Sequence, residues 1–318
     1  MSRRSKYVWM DGRLVPFEQA TLHFMTPALH YGGAVFEGIR AYRGDHAVAV
    51  FRLPEHVQRL FASAHVFGLP DIGYSEAEVE NACHDVVAAN GFGDCYIRPV
   101  VYIADGGWNL TTVNVKLGFG IAAWEWGPYL GEEARENGVR ANVSSFTRHH
   151  PNVTMTKAKV AGNYANSILA KTESMRLGFE EAIMLDPQGF VAECTGENLF
   201  VVKDRTIVTT PTATILEGIT RDSVLALARD LGHAFHEQPI SRDQLYAADE
   251  VFCCGTAAEV VAIREIDFRQ IGNGRMGPIT AQLQGAFHDV VRGRVPRHER
   301  WLHPIGAVRG ALEDVKTA

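Results

Sequence analysis

Lysine is scarce in this chain, which places its positive charge mainly on arginine; the lysines are Lys6, Lys116, Lys157, Lys159, Lys171, Lys203 and Lys316. Two of them fall in Thr154-Met155-Thr156-Lys157-Ala158-Lys159-Val160-Ala161-Gly162-Asn163-Tyr164, a run of small and β-branched residues leading into a predicted helix. An ε-amine beside apolar, close-packed backbone loses hydration. That disfavours its charged form and makes it a potential nucleophile toward a carbonyl. On local residues alone, a surface lysine at a strand end is the alternative. Two later segments have the chemistry of a phosphate clamp. Leu216-Glu217-Gly218-Ile219-Thr220-Arg221 ends a loop and opens a helix, aligning free N–H groups, a helix dipole and the Thr220 hydroxyl. Cys254-Gly255-Thr256-Ala257-Ala258 offers a glycine for close backbone approach and another hydroxyl. Each is an ordinary turn by itself; with an activated lysine they point to a phosphorylated carbonyl cofactor.

Other chemistries lack their residues. The sequence has no G-x-x-x-x-G-K-S/T loop, no H-E-x-x-H helix and no G-x-S-x-G elbow. His149 and His150 are consecutive, so their side chains diverge, and a solvated turn is expected rather than a metal pair. No metal is expected. Gly272-Asn273-Gly274 reads as a hairpin turn. The five cysteines, Cys83, Cys95, Cys194, Cys253 and Cys254, have no repeated C-x-x-C spacing, which argues against a disulfide framework or a zinc ribbon, and the adjacent Cys253 and Cys254 are expected as packed thiols.

Glu193-Cys194-Thr195-Gly196-Glu197-Asn198-Leu199-Phe200, then Val208-Thr209-Thr210, then Leu216 to Arg221 resemble the signature of class IV pyridoxal-phosphate aminotransferases. Four further stretches narrow the resemblance to the branched-chain amino-acid aminotransferases. They are Ala28 through Tyr31-Gly32-Gly33-Ala34-Val35-Phe36-Glu37-Gly38-Ile39-Arg40, Tyr96-Ile97-Arg98-Pro99, Lys159 with Gly162-Asn163-Tyr164, and Ser241-Arg242 through Ala248-Asp249-Glu250-Val251-Phe252. The match runs in order from about Tyr7 to the last amphipathic helix.

The resemblance implies a role for each matching residue. Lys159 resembles the Schiff-base lysine, which holds pyridoxal 5'-phosphate and then moves the substrate proton as base and acid; Lys157 does not occupy that position. Glu193 resembles the carboxylate facing the pyridine nitrogen, and Tyr164 the tyrosine bonded to the phenolic oxygen. Arg59, Ile219, Thr220 and Thr256 match phosphate-binding positions. Phe36, Gly38, Trp126, Tyr129 and Tyr164 resemble the substrate pocket, with Tyr31 entering from a neighbouring subunit. Tyr96, Arg98 and the amides around Thr256 and Ala257 resemble carboxylate readers, Arg98 serving the distal carboxylate of glutamate. The implied activity is transfer of an amino group between leucine, isoleucine or valine and 2-oxoglutarate. The implied partners are amino acids, 2-oxo acids and a second copy of the chain, a dimer at least, with a hexamer as the larger option. A D-amino-acid or amine transaminase, an aminodeoxychorismate-type lyase and a non-catalytic binding protein on the same scaffold are the competing readings.

The elements that must position these residues read as a mixture of strands and helices without a sustained βαβ period. Two α+β domains fit better than one doubly wound sheet. Antiparallel hairpins are expected around Tyr7–Met10, 34–42 and 47–51. A helix carrying Val57, Leu60, Phe61, Ala64 and Phe67 follows Pro54, and another runs from Ser75 to Asn90-Gly91. Strands are expected at 95–104 and 115–123. Beyond Gly127-Pro128-Tyr129 come a helix at 164–177, a helix at about 220–231 with Val224, Leu225, Leu227, Ala228 and Leu231 inward, and a last helix at 279–291. The expected domains are 1–125 and 137–318, joined by a linker at 126–136. The family resemblance implies fold type IV: a smaller N-terminal α/β domain, a larger C-terminal domain with a barrel-like sheet, and the cofactor at their interface. With 318 residues, 46% of them hydrophobic, and a net charge of −6, the chain has the balance of a globular protein. It has no cationic field for nucleic acid. Its basic start has no apolar core and no run approaches a membrane span, so a cytoplasmic location is expected.

Overall fold

A computed structural model describes residues 5–127 and 130–306. These form a mixed α and β structure that divides into two compact units, each described here by itself. The first holds described residues 5–127, 158–162 and 290–306; the second holds 130–157 and 163–289. The units therefore differ from the contiguous segments 1–125 and 137–318. Residues 158–162 and 290–306 belong with the first unit, and the expected linker 126–136 contains most of a short helix, Glu132–Asn137.

The first unit is an antiparallel sheet of eight strands. They are β1 (Tyr7–Met10), β2 (Arg13–Pro16), β3 (Ala34–Phe36), β4 (Ile39–Arg43), β5 (Val48–Phe51), β6 (Cys95–Asp105), β7 (Lys116–Glu125) and the late strand Leu302–Pro304. The order is Leu302–Pro304, β5, β4, β6, β7, β1, β2, with β3 also paired to β6. The single strand expected at 34–42 is split, although its register against β6 continues from Phe36 opposite Val100 to Ile39 opposite Ile97. Pro99 explains the break. It accepts a bond from the Glu37 N–H at 3.0 Å but has no N–H to return one, so the ladder opens at Glu37-Gly38.

Three helices accompany this sheet: α1 (Pro27–Tyr31), α2 (Leu53–Phe67) and α3 (Glu76–Asn90). α2 stops at Gly68, whose φ of 76° suits a residue with no side chain, and α3 opens on a capping box between Ser75 and Glu78. Val57, Leu60 and Ala64 of α2 and Val79, Ala82, Val86 and Val87 of α3 pack against Val35, Ile39, Ile97 and Phe119 of the sheet. Phe61 and Phe67 lie at the edge of this core, partly buried. The segment 158–162 joins the same body through a bridge from Val160 to Val35 and a bond from the Gly162 N–H to the Gly32 carbonyl at 3.2 Å. Gly32 is required there, because a Cβ on it would lie 2.8 Å from the Gly162 Cα.

The second unit carries nine strands: β8 (Val139–Val143), β9 (Glu181–Leu185), β10 (Val191–Cys194), β11 (Asn198–Lys203), β12 (Thr206–Thr209), β13 (Phe235–Glu237), β14 (Glu250–Gly255), β15 (Glu259–Ile266) and β16 (Arg269–Gln270). They run in an open path, β10-β9-β8-β15-β14-β11-β12-β13, with β16 beside β15, so the barrel-like sheet is a curled half-barrel. Its helices are α4 (Glu132–Asn137), α5 (Tyr164–Arg176), α6 (Ile219–Asp230), α7 (Arg242–Tyr246) and α8 (Pro278–Val291), the last running on into the first unit at Val290. Val224, Leu225, Leu227 and Ala228 of α6 are buried as expected, but Leu231 caps the helix and is 44% exposed. Asn198 pairs with Cys254, which sets the turn after β10 beside the turn between β14 and β15. All five cysteines are buried thiols. Among the described residues, no helix is long and apolar enough to cross a membrane.

Leu60 is 0% exposed in the core that carries the α2 residues described below. Leu60→Ala should cost about 2–5 kcal/mol of stability by chemical denaturation, and a loss below about 1 kcal/mol would contradict this packing.

Candidate active site

In the first unit the main chain of Lys159 is fixed at both polar groups. Its N–H donates to Ser63 Oγ at 3.0 Å, and its carbonyl accepts from the Phe36 N–H at 3.1 Å. The side chain is half-buried, with Nζ 5.0 Å from the centre of the Phe36 ring, so Lys159 is not the exposed strand-end residue of the alternative reading. Ser63 belongs to α2, one turn beyond Arg59, which is itself three residues after His56. Residues at these spacings share one helix face. Arg59 Nε and Nη2 donate to the two carboxylate oxygens of Glu37 at 2.6 and 2.9 Å, and His56 Nδ1 lies 2.7 Å from Glu37 Oε2. Burial alone would raise the Glu37 carboxyl, but the Arg59 guanidinium and His56 reverse this and hold it well below the usual carboxylate range. Burial pushes His56 down against the pull of Glu37, with Arg59 and Lys159 adding to the push. A neutral His56 with its proton on Nδ1, toward the carboxylate, follows.

Aromatic rings surround Arg98 in the same unit. Its guanidinium sits 4.5 Å from the Phe36 ring centre and 5.2 Å from that of Tyr96, and Nη2 donates to Tyr96 Oη at 3.2 Å. Its Nε is buried without a hydrogen-bond partner, an unused donor in an aromatic setting. Trp126 packs edge-on to Tyr96 at 4.9 Å, and its carbonyl accepts from Arg40 Nη2 at 2.9 Å. A Cβ on Gly38 would fall 1.8 Å from Tyr96 Oη, so the opened ladder at Glu37-Gly38 makes room for that ring. Tyr31, at the end of α1, is 52% exposed and edge-on to Trp108 at 5.9 Å. Tyr129 lies outside the described residues.

In the second unit Glu193, at the end of β10, is buried and accepts from Arg148 Nε at 2.7 Å and Asn198 Nδ2 at 3.2 Å. The same Asn198 amide donates to the Leu216 carbonyl at 3.0 Å, tying the Glu193 strand to the loop that opens α6. Gly218 precedes Ile219 and Thr220 at the start of α6, which has no side-chain cap; a Cβ on Gly218 would strike Asn198 Oδ1 at 2.0 Å. The first amides of this helix have no acceptor within it, and Thr220 beside them is buried. Thr256 and Ala257 lie in the turn between β14 and β15, and Tyr164 is the half-buried first residue of α5. Lys157 is turned to this unit's loop, 2.8 Å from Glu217 Oε1 and 40% exposed.

Two further acids stand near Glu193. Glu181 is fully buried and bonded to Lys171 Nζ and to Thr195 Oγ1. Glu197 accepts from the Gly196 N–H at 3.1 Å, and burial, then Glu181, pushes its carboxyl up to about 8. His149 is half-buried rather than in a solvated turn, and burial pushes it down to about 4. Glu37, His56, Ser63, Arg148 and Arg40 carried no assigned role from sequence. Glu37 stood inside a quoted motif; the helical spacing of His56, Arg59 and Ser63 was the available signal for those two, and Arg148 had none.

The class IV amino-transferase family model matches residues 34–266. This chain belongs to that family. It is 47% identical over 301 residues to the branched-chain-amino-acid aminotransferase of Pseudomonas aeruginosa, covering 95% of this chain and 98% of the relative. The crystal structure of the Escherichia coli branched-chain amino acid aminotransferase is similar at a TM-score of 0.92 and 43% identity, covering 95% of this chain and 100% of that one. The branched-chain amino acid aminotransferase from Thermobaculum terrenum, in its PLP form, matches at a TM-score of 0.90 and 36% identity, covering 96% of this chain and 99% of that one.

Between pH 4.5 and about 8 folded Glu197 keeps a proton that the unfolded chain has lost, so its contribution makes stability fall as pH rises across that window. Glu197→Gln should remove this slope. The variant's stability relative to the parent, by denaturant titration, should be higher at pH 8 than at pH 5 by more than about 1.4 kcal/mol, the equivalent of one pKa unit. An equal difference at both pH values would refute the raised carboxyl.

Proposed function

We propose that this chain is a pyridoxal-phosphate-dependent transaminase that moves an amino group between L-leucine, L-isoleucine or L-valine and 2-oxoglutarate. The observation that carries the reading is Lys159, half-buried with its main chain bonded to Ser63 and Phe36. The residues present fit the cofactor. A lysine amine and a braced guanidinium stand in one unit; a buried carboxylate and an uncapped helix terminus stand in the other. When bound, pyridoxal phosphate supplies the electron sink that stabilises the negative charge left at the substrate α-carbon.

The protein's own side chains do the rest. Lys159 anchors the cofactor, takes the α-proton as base and returns it as acid. Glu193, oriented by Arg148 and Asn198, receives a hydrogen bond from the ring nitrogen. Tyr164 bonds the phenolic oxygen. Arg59 and the N–H and hydroxyl groups at Ile219, Thr220 and Thr256 hold the phosphate. Phe36, Trp126 and Tyr164 wall the branched side chain, with Gly38 leaving space, and Tyr96 stands with Arg98 among the carboxylate readers. Arg98 and the amides at Thr256 and Ala257 read carboxylates, and the unpartnered Nε of Arg98 gives it a donor for the second carboxylate of glutamate. The exposed Tyr31, edge-on to Trp108 and near the exposed Phe24 and Leu29 in sequence, supports a homodimer as the smallest active form, and the proposed location is the cytoplasm. Two such residues, Phe24 and Leu29, are 72% and 64% exposed, more than a monomer's surface would favour.

Holoenzyme mixed with L-leucine should lose its cofactor absorbance band and regain it with 2-oxoglutarate. A response to D-alanine or an amine, and none to L-branched donors, would overturn the substrate. Lys159→Ala should abolish the borohydride-fixed pyridoxyl label and lower kcat by about 10²–10⁴-fold or more, while Lys157→Ala keeps the label. The reverse result would refute the assignment. Gly38→Ala should displace Tyr96 and lower kcat/KM for leucine by about tenfold to a hundredfold; unchanged kinetics would remove Tyr96 from the pocket.

A further inference from the structure

We propose that Glu37 is the positioning residue for the cofactor's phosphate: its buried carboxylate fixes the Arg59 guanidinium in one plane, with His56 as a second brace, so that Arg59 meets the phosphate already oriented. The inference rests on the reading of Arg59 as a phosphate ligand.

The geometry is specific. Glu37 is 0% exposed, and its two oxygens take two nitrogens of one guanidinium, 2.6 Å from Nε and 2.9 Å from Nη2. Two such bonds fix a planar fork in position and rotation, which one bond cannot do. Oε2 also receives His56 Nδ1 at 2.7 Å and the Gly38 N–H at 3.2 Å. The carboxylate is itself held from the helix side and from its own strand. Its position follows from the backbone, because the break opposite Pro99 is where Glu37 leaves the ladder. The face of α2 that carries His56 and Arg59 also carries Ser63, which holds the Lys159 N–H. Glu37 bonds Arg59 and His56 but not Ser63, so its removal bears on the guanidinium and leaves both main-chain bonds of Lys159 in place.

A carboxylate beside a phosphate ligand could instead be only a counter-charge, and the two roles differ in sign. If Glu37 merely neutralised Arg59, removing its charge would leave the phosphate as the main anion facing the guanidinium, and the phosphorylated cofactor would bind more tightly. If Glu37 positions Arg59, the cofactor binds more weakly, and only through its phosphate. The test is equilibrium dialysis of Glu37→Gln against pyridoxal phosphate and, separately, pyridoxal. The expected result is a Kd for pyridoxal phosphate raised about tenfold to a hundredfold, by analogy with the loss when the partners that orient metal-ligating side chains are removed. The Kd for pyridoxal should be unchanged within error. General damage to the fold would weaken both. If Glu37→Gln does not fold, Glu37→Asp, which keeps the charge and withdraws it by one methylene, should show the same phosphate-dependent loss. Arg59→Lys should also show it, and adding Glu37→Gln to Arg59→Lys should cost nothing further. Tighter or unchanged binding of pyridoxal phosphate, or equal loss for both ligands, overturns the inference. A loss in Arg59→Lys with none in either Glu37 variant overturns it while leaving Arg59 as a phosphate ligand; no loss in Arg59→Lys removes that reading as well.

Discussion

Fixing the main chain of Lys159 at two points is the constraint on which the first unit depends. A lysine side chain has four rotatable carbons, and a reactive amine at its end is only as well placed as the backbone beneath it. Here the N–H is taken by a helix side chain, Ser63, and the carbonyl by a strand amide, Phe36. Val160 bridges Val35 and Gly162 bonds Gly32, so a five-residue segment, Ala158–Gly162, is held against the sheet from both ends. Its small residues follow from this. A side chain at Gly32 would strike Gly162, and Ala158 is buried in the core.

The second unit shows how neighbouring acids are kept apart in state. Glu181 opens β9, Glu193 lies in β10 and Glu197 in the turn after it, and all are buried. Glu193 is paired with Arg148 and Glu181 with Lys171. Glu197 accepts a backbone N–H and faces Glu181, so holding its proton avoids a third uncompensated charge in a dry interior. Of the three, Glu193 is the acid that carries both a guanidinium and a side-chain amide.

Much of this was legible in the sequence, and the failures share a cause. Helices announced themselves through local pattern: Ser75 with Glu78 as a cap, and Val57, Leu60 and Ala64 as a buried face. The motif order favoured Lys159 over Lys157 for the cofactor; in the structure the Lys159 main chain is bonded to Ser63 and Phe36, whereas Lys157 reaches Glu217. Features that depend on residues far apart in the chain were not visible. The break between β3 and β4 requires knowing that Pro99 lies opposite Glu37. Arg148 reaches Glu193 across 45 positions, and Glu37 reaches Arg59 across 22, with no spacing rule to announce either. Leu231 fitted the helical period yet fell at the cap, where the period no longer dictates burial.

The discontinuous first unit has a consequence for how the protein is made. Strand β5 is covered by Leu302–Pro304, and Asp45 pairs with Arg294, 249 residues away. A ribosome releasing residues 1–127 has delivered most of that sheet, but neither the piece that bridges Val35 nor the one that seals the β5 edge. The nascent sheet waits with an unpaired edge through the synthesis of the whole second unit, and an unpaired edge invites pairing with another chain. Loss of Leu302–Pro304 would leave β5 as the bare edge of the sheet for good, the state that its late arrival otherwise ends.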